Sequence, residues 1–200
     1  MLKENSVLRA EAREALANKW GMAAVVTFVY VAIACVLGWI PKVSFLVSLL
    51  VVVPLSYGFN ILFLGVFRGN EVQLERIFDG FKDYGRVLGT MLLVGVYTFL
   101  WTLLLIVPGI IKAYSYMLTP YILKERPELK FNEAINESMR LMGGNKMKLF
   151  LLDLSFFGWY LLCILTLGIG LCWLNPYVCT SHAAFYEDIM KEERGEQPEQ

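Results

Sequence analysis

This chain has little charge and few of the groups that do chemistry. Asp, Glu, Lys and Arg make up 18% of its 200 residues, against about 25% in ordinary soluble domains. It has one histidine, His182. A lone histidine without clustered carboxylates or thiols argues against a metal centre, so neither metal nor other cofactor is expected. The four cysteines, Cys35, Cys163, Cys172 and Cys179, lack C-x-x-C spacing and all fall in apolar stretches, where a thiol serves as a small packing group. Basic patches of the kind that track phosphate backbones are missing, which excludes nucleic acid as a partner. A cleavable signal peptide is not expected, because the 19 residues before the first apolar run mix acids with bases and the run is too long for a leader. Ala32-Ile33-Ala34-Cys35 is a poor lipoprotein box that sits too deep.

The chain does have apolar length, with 57% hydrophobic residues. Six stretches stand out: Trp20 to Trp39, Val43 to Phe67, Val87 to Val107, Gly109 to Leu123, Leu149 to Leu167 and Ile169 to about Met190. Five have the ~17 to 25 residues that cross a hydrocarbon core of ~30 Å; the fourth is short. Sixteen of the 18 basic residues lie before the first stretch, after the last, or in the gaps following the second and fourth. Only Lys42 and Lys112 remain for the other side. The positive-inside rule then puts those segments and both termini in the cytoplasm and requires the short fourth stretch to cross, since six cations follow it. The expected fold class is all-α: a polytopic bundle of six transmembrane helices in three hairpins over residues 20–190. An amphipathic segment, residues 1–19, precedes it and an acidic cytoplasmic tail, residues 191–200, follows.

Each segment before an odd-numbered span has the stripe of an interfacial amphipathic helix. Leu74, Ile77, Phe78 and Phe81 recur at i, i+3, i+4, i+7; Phe131, Ile135, Met139 and Met142 hold one face; Leu8, Ala12, Ala15 and Leu16 do so more weakly. Asn70 and Gln73 have capping-box spacing and Gly143-Gly144 supplies a stop. Each even-numbered span carries one helix-kinking proline, Pro54, Pro120 or Pro176, followed by Tyr57, Tyr121 or Tyr177. A proline frees a carbonyl, so each break should face protein or a cavity and not lipid. Gly65 and Gly69, and Gly85 and Gly89, indicate close packing at most.

The candidate functional residues are the polar groups inside the spans. Asp153 and His182 lie at equal counts on either side of the Gly168 turn, about 8 to 12 Å from the cytoplasmic boundary at ~1.5 Å per residue, and can hydrogen-bond. Asn60 and Thr119 fall at comparable depth. Asn175, Cys179, His182 and Tyr186 share one face of the last helix. Asn60, Thr119, Asp153, Asn175 and His182 therefore form a candidate intramembrane polar pocket, either interhelical glue or a proton or solute site with His182 titrating. Lys112, about 5 Å below the outer turn, should snorkel to headgroups, with an Asn175 contact as the alternative. Catalysis is not expected: Ser181 adjoins His182 and points ~100° away, and Ser155 diverges from Asp153.

The stretches PGIIKAYSYMLTPYIL (Pro108 to Leu123) and AINESMRLMGGNKMKLFLLDLSFFGWYLLCILTLGIGLCWLNPY (Ala134 to Tyr177), followed by AAFYEDI, resemble the bacterial family called domain of unknown function 975. That resemblance implies a polytopic plasma-membrane protein with no catalytic residues or cofactor to carry over. The layout is also similar to the membrane domain attached to some glycerophosphodiester phosphodiesterases; no catalytic domain is attached here, so that activity does not follow. The expected function is a non-enzymatic module that binds or organises lipids, through anionic headgroups at the cytoplasmic face, or a partner membrane protein. The alternative is a small-solute or proton transporter or channel.

Overall fold

The computed structural model describes residues 2–39, 45–166 and 168–195. Every regular element among them is a helix: α1 (Asn5–Ala15), α2 (Trp20–Trp39), α3 (Phe45–Phe67), a 3-10 helix (Leu74–Phe81), α4 (Tyr84–Leu104), α5 (Ile106–Tyr116), α6 (Thr119–Glu125), α7 (Asn132–Leu141), α8 (Lys146–Leu154), α9 (Phe157–Leu165) and α10 (Leu171–Glu193). The expected turn over Ile40 to Lys42, the start of the second span at Val43, Leu167 and the tail beyond residue 195 lie outside the described residues. Four runs are long and apolar enough to cross a membrane: Trp20–Leu37, Leu49–Phe67, Tyr84–Leu104 and the α8–α9 run Lys146–Leu165. The large side chains left exposed are those lipid would cover, with Leu103, Ile106 and Leu165 at 72%, 70% and 80%.

Three stretches expected as single spans are broken, Val87 to Val107 at Leu105, whose extended backbone (φ −159°, ψ 137°) separates α4 from α5. Gly109 to Leu123 divides into α5 and α6 because Pro120 sits in the first turn of α6; proline lacks the N–H that a continuous helix needs and opens a new one readily. Leu149 to Leu167 divides at Ser155-Phe156. There the Ser155 hydroxyl donates to the Leu152 carbonyl at 2.6 Å, and the Phe156 N–H reaches only to Asp153. Side-chain bonding of this kind competes with the helical ladder. At 11 residues α5 covers only ~16 Å.

The helices group into two compact units. In the first, made of the described residues of Met1–Ile33, Leu62–Leu74 and Lys148–Gln200, α1 lies antiparallel along α10. The Lys3 backbone N–H donates to Asp188 at 2.7 Å, and six residues on, the Arg9 carbonyl accepts from the Tyr177 hydroxyl at 3.3 Å. Leu8, Ala12 and Leu16 are wholly buried, so the apolar stripe of α1 is met by protein where lipid was expected. Each leucine contributes about 1.5–3 kcal/mol by that burial. α10 runs unbroken through Pro176, whose carbonyl accepts the Thr180 hydroxyl at 2.8 Å. Tyr177 beside it is flanked by Phe156 and Trp20, with ring centroids at 5.0 and 6.1 Å. Asn70 does not open a capping box. Its N–H returns to Gly65 at 2.9 Å and Gly69 has φ of 91°, so together they close α3 in a Schellman-type turn.

In the second unit, Ala34–Ile61 and Glu75–Met147, the Leu74–Phe81 segment is 3-10 where an α-helix was expected. Three residues per turn put Ile77 and Gly80 in one row. Both are buried, and this row lies against α3 so closely that a methyl on Gly80 would strike the Pro54 carbonyl, and one on Gly58 the Ile77 carbonyl. Glycine is required at both contacts. The break at Pro54 is thus covered by protein. The carbonyl that Pro54 frees, four residues earlier at Leu50, accepts the Tyr84 hydroxyl at 3.2 Å. α7 packs on α4, α5 and α6, burying Ala134, Ile135, Ser138, Leu141 and Met142. The Phe131 ring lies on Gly89, the Phe131 N–H donates to Thr90 at 3.0 Å, and the Ser138 hydroxyl donates to the Ser115 carbonyl at 2.8 Å.

Candidate functional site

Within the first unit the chain brings two of the five candidate pocket residues together. Asp153 on α8 and His182 on α10 meet at 2.6 Å, Oδ1 to Nε2. The local sequence explains why: α8 and α10 run antiparallel, and Asp153 is 15 residues before Gly168 while His182 is 14 after it. The histidine is 9% exposed. The hydroxyls beside the pair are turned inward on their own helix, Thr180 to Pro176 and Ser181 to the Tyr177 carbonyl at 2.9 Å. Ser155 is likewise engaged with Leu152. Each of these three hydroxyls is thus engaged with a backbone carbonyl of its own helical segment. Asn175 is half-buried on α10, about 10 Å along the axis from His182.

Asn60 and Thr119 belong to the second unit. The Asn60 amide donates to the Ser56 carbonyl of its own helix at 2.8 Å. Thr119 is wholly buried at the start of α6, and its hydroxyl has no hydrogen-bond partner among the described residues. Lys112 belongs to the second unit too. Its ammonium lies 5.2 Å from the centroid of the Trp101 ring and 3.8 Å from the Met139 sulfur, so an aromatic face on α4 and the soft edge of α7 hold it. On the outer side of α7, Glu137 accepts two hydrogen bonds from Arg140 at 2.8 Å each and one from Arg126 at 2.5 Å. Those of Arg140 above all hold its carboxyl below the usual carboxylate range. Among the described residues no three His, Cys, Asp or Glu side chains cluster as metal ligands would.

Sequence reasoning missed two features of the first unit. Glu187 and Asp188, near the end of the last expected span, are structural anchors. Glu187 pairs with Arg68 at 2.5 Å, and Asp188, 6% exposed, takes the Lys3 N–H with the Lys148 ammonium 3.9 Å away. The other is a cavity of about 490 Å³. Arg9, Arg13, Trp20, Trp159, Trp173 and Tyr177 line it, together with Thr166 and Gly170 beside the α9–α10 turn. Arg9 and Arg13 are spaced i, i+4 on the face of α1 beside its apolar stripe; that spacing was the available signal.

No curated protein and no solved structure is significantly similar to the chain. Residues 103–193 match the model of the family described as Protein of unknown function (DUF975), so the resemblance read from Pro108 onward holds over the stretch that carries its motifs.

Proposed function

We propose that the protein is a non-enzymatic module of the bacterial plasma membrane that binds or organises lipids or a partner membrane protein. In this reading it crosses the bilayer six times as three hairpins, with both termini in the cytoplasm. The segregated cations support that orientation. One observation carries the lipid reading: the 3-10 helix exposes Leu74, Phe78 and Phe81 on the outside, and Lys82, 79% exposed and paired with Asp79 at 2.6 Å, follows at once. Apolar and aromatic side chains beside a cation fit the boundary between acyl chains and anionic headgroups, and fit water poorly. α1 and α7 likewise leave Arg13 and Arg140 exposed while Leu8, Ala12, Ile135 and Met142 of their apolar stripes are buried.

The test is to extract the full chain from its host membrane directly into polymer-bounded nanodiscs and compare the lipids with the bulk membrane. Enrichment of anionic phospholipid supports the reading; a composition equal to bulk overturns it. A second reading, a pathway for protons or a small solute, draws on the Asp153–His182 pair. Cysteines placed beside these residues would react with small polar thiol reagents in intact membranes if water reaches the pair, and stay unlabelled if it does not.

A further inference from the structure

Faces of three helices in the first unit line one slot, the cavity of about 490 Å³ beside α1. α9 contributes positions 159, 162, 163 and 166, and the start of α10 positions 170, 173, 174 and 177. Each set runs i, i+3, i+4, i+7, which is one face of a helix. Glycine at 170 lets the two helices approach, since an added Cβ there would meet the Cys163 sulfur at 2.8 Å. With Trp20, Trp159 and Trp173, three of the chain's five tryptophans belong to this lining. Its charged groups are both cationic: Arg9 and Arg13, one turn apart on α1. Neither guanidinium meets a carboxylate within 4 Å among the described residues, and the Arg9 Nε is buried without a hydrogen-bond partner. A buried cationic donor left unmet costs its desolvation and normally has an acceptor. The hydroxyls of the lining are committed elsewhere. Tyr177 donates to the Arg9 carbonyl at 3.3 Å, while Thr166 donates to the Cys163 carbonyl at 3.0 Å and accepts the Gly170 N–H at 3.1 Å. The slot therefore offers donors and aromatic faces, and what it lacks is an anionic acceptor.

We propose that this slot binds a small organic anion, a carboxylate carried on a flat aromatic body. The carboxylate lies on Arg9 and Arg13, whose planar forks match its two oxygens, and the body lies against the indole rings. A volume of about 490 Å³ is in the range of small-ligand sites, which are mostly apolar with a few placed polar groups. Charge complementarity selects the occupant. A neutral aromatic leaves both guanidiniums unmet, and an inorganic anion leaves the indole faces uncovered. Phospholipid does not fit. In the six-crossing reading the stretch from Tyr177 to Gly170 lies in the outer half of the bilayer with the Gly170 turn outermost. A cytoplasmic-leaflet lipid cannot then set its phosphate on the arginines and its chains along this stretch. An outer-leaflet lipid carries its phosphate at the level of Gly170, away from Arg9, whose carbonyl is bonded to Tyr177. The occupant is therefore a solute.

This inference goes beyond the lipid reading and does not rest on it. Purified full-length protein in phosphatidylcholine nanodiscs is titrated calorimetrically with 2-naphthoate and with indole-3-acetate, and empty nanodiscs serve as the blank. Saturable binding of 2-naphthoate, with 2-naphthamide and acetate each roughly tenfold or more weaker, supports the slot, since the amide lacks the charge and acetate lacks the body. R9Q/R13Q should weaken 2-naphthoate by a similar factor, and R9K/R13K, which keeps the charge and loses the fork, should recover only part of it. Trp159→Ala with Trp173→Ala should weaken it as well; these side chains are 54% and 49% exposed, so their loss leaves the core in place. Lys124→Gln with Lys130→Gln removes the same charge from the second unit and should change nothing. Binding of 2-naphthoate that R9Q/R13Q leaves unchanged overturns the slot as the site. Equal binding of amide and carboxylate overturns the anion as occupant, and no saturable binding of either acid above the blank overturns the proposal. Each of these failures leaves the lipid reading standing, because that is judged by the lipid extracted with the chain.

Discussion

Tyr84 donates its hydroxyl to the one backbone carbonyl that the proline of α3 leaves without an intrahelical donor, and this makes the pair separable by experiment. Pro54 has no N–H, so the Leu50 carbonyl depends on Tyr84 at 3.2 Å. Tyr84→Phe removes the donor and keeps the ring, which stacks on Phe81 at 6.0 Å with 17° between planes. The cost should be that of one hydrogen bond, about 0.5–1.5 kcal/mol in general and about 0.6 kcal/mol on average between membrane helices. In a Pro54→Ala background the restored N–H of residue 54 can meet Leu50 itself, so the same Tyr84→Phe change should cost close to nothing. The difference between backgrounds is the coupling energy of a double-mutant cycle, expected at about 0.5–1.5 kcal/mol. It is read from reversible unfolding in mixed micelles by tryptophan fluorescence. Equal costs in both backgrounds would mean that Tyr84 acts through packing alone and would refute the account of how the break is satisfied.

Other expectations are more direct. Gly80→Ala and Gly58→Ala each place a methyl on a backbone carbonyl and should destabilise by about 1–3 kcal/mol in the same unfolding assay, whereas Gly85→Ala, which meets nothing within 4 Å, should sit near zero apart from helix propensity. Glu137 has its pKa lowered in the folded chain by Arg140 and Arg126. Its contribution is therefore complete above the ordinary carboxylate pKa and is lost as pH falls through the depressed value, and a Glu137→Gln chain should lack that acid-side loss in a melting series. Asp153→Asn should separate the glue and site readings, since a purely structural pair predicts lower melting with activity falling only in proportion, and a proton site predicts lost activity at native melting. In a chain with its native cysteines replaced, Leu105→Cys and Ile169→Cys, both at exposed apolar turns, should react with an impermeant maleimide from outside the cell. Protection of both until detergent is added would show that these helix pairs turn back within the bilayer, and would end the six-crossing reading.

What could be read in advance follows from whether the deciding contact is local. The stripe Leu8, Ala12, Leu16 and the helices Trp20–Trp39 and Phe45–Phe67 depend on periodicity and apolar length, which are properties of single segments. The Asp153–His182 pair was legible because a tight turn fixes the register of the helices on either side of it. The partners of the polar groups in the C-terminal half of α10 were hidden for the opposite reason. Thr180, Ser181 and Asp188 are buried there, but the two hydroxyls are satisfied by their own helix and the carboxylate by the backbone of Lys3, 185 residues away. Hydropathy marks such groups only as polar, because it cannot know that their partners are present. The same holds for the slot at Arg9. Its arginines and its tryptophans come from opposite ends of the chain, and only when α1 folds back along α10 do a cationic mouth and an aromatic wall become one surface. Local pattern marks which segments are apolar enough to enter lipid; the return of the N-terminal helix onto the last one decides which polar and aromatic groups share a surface.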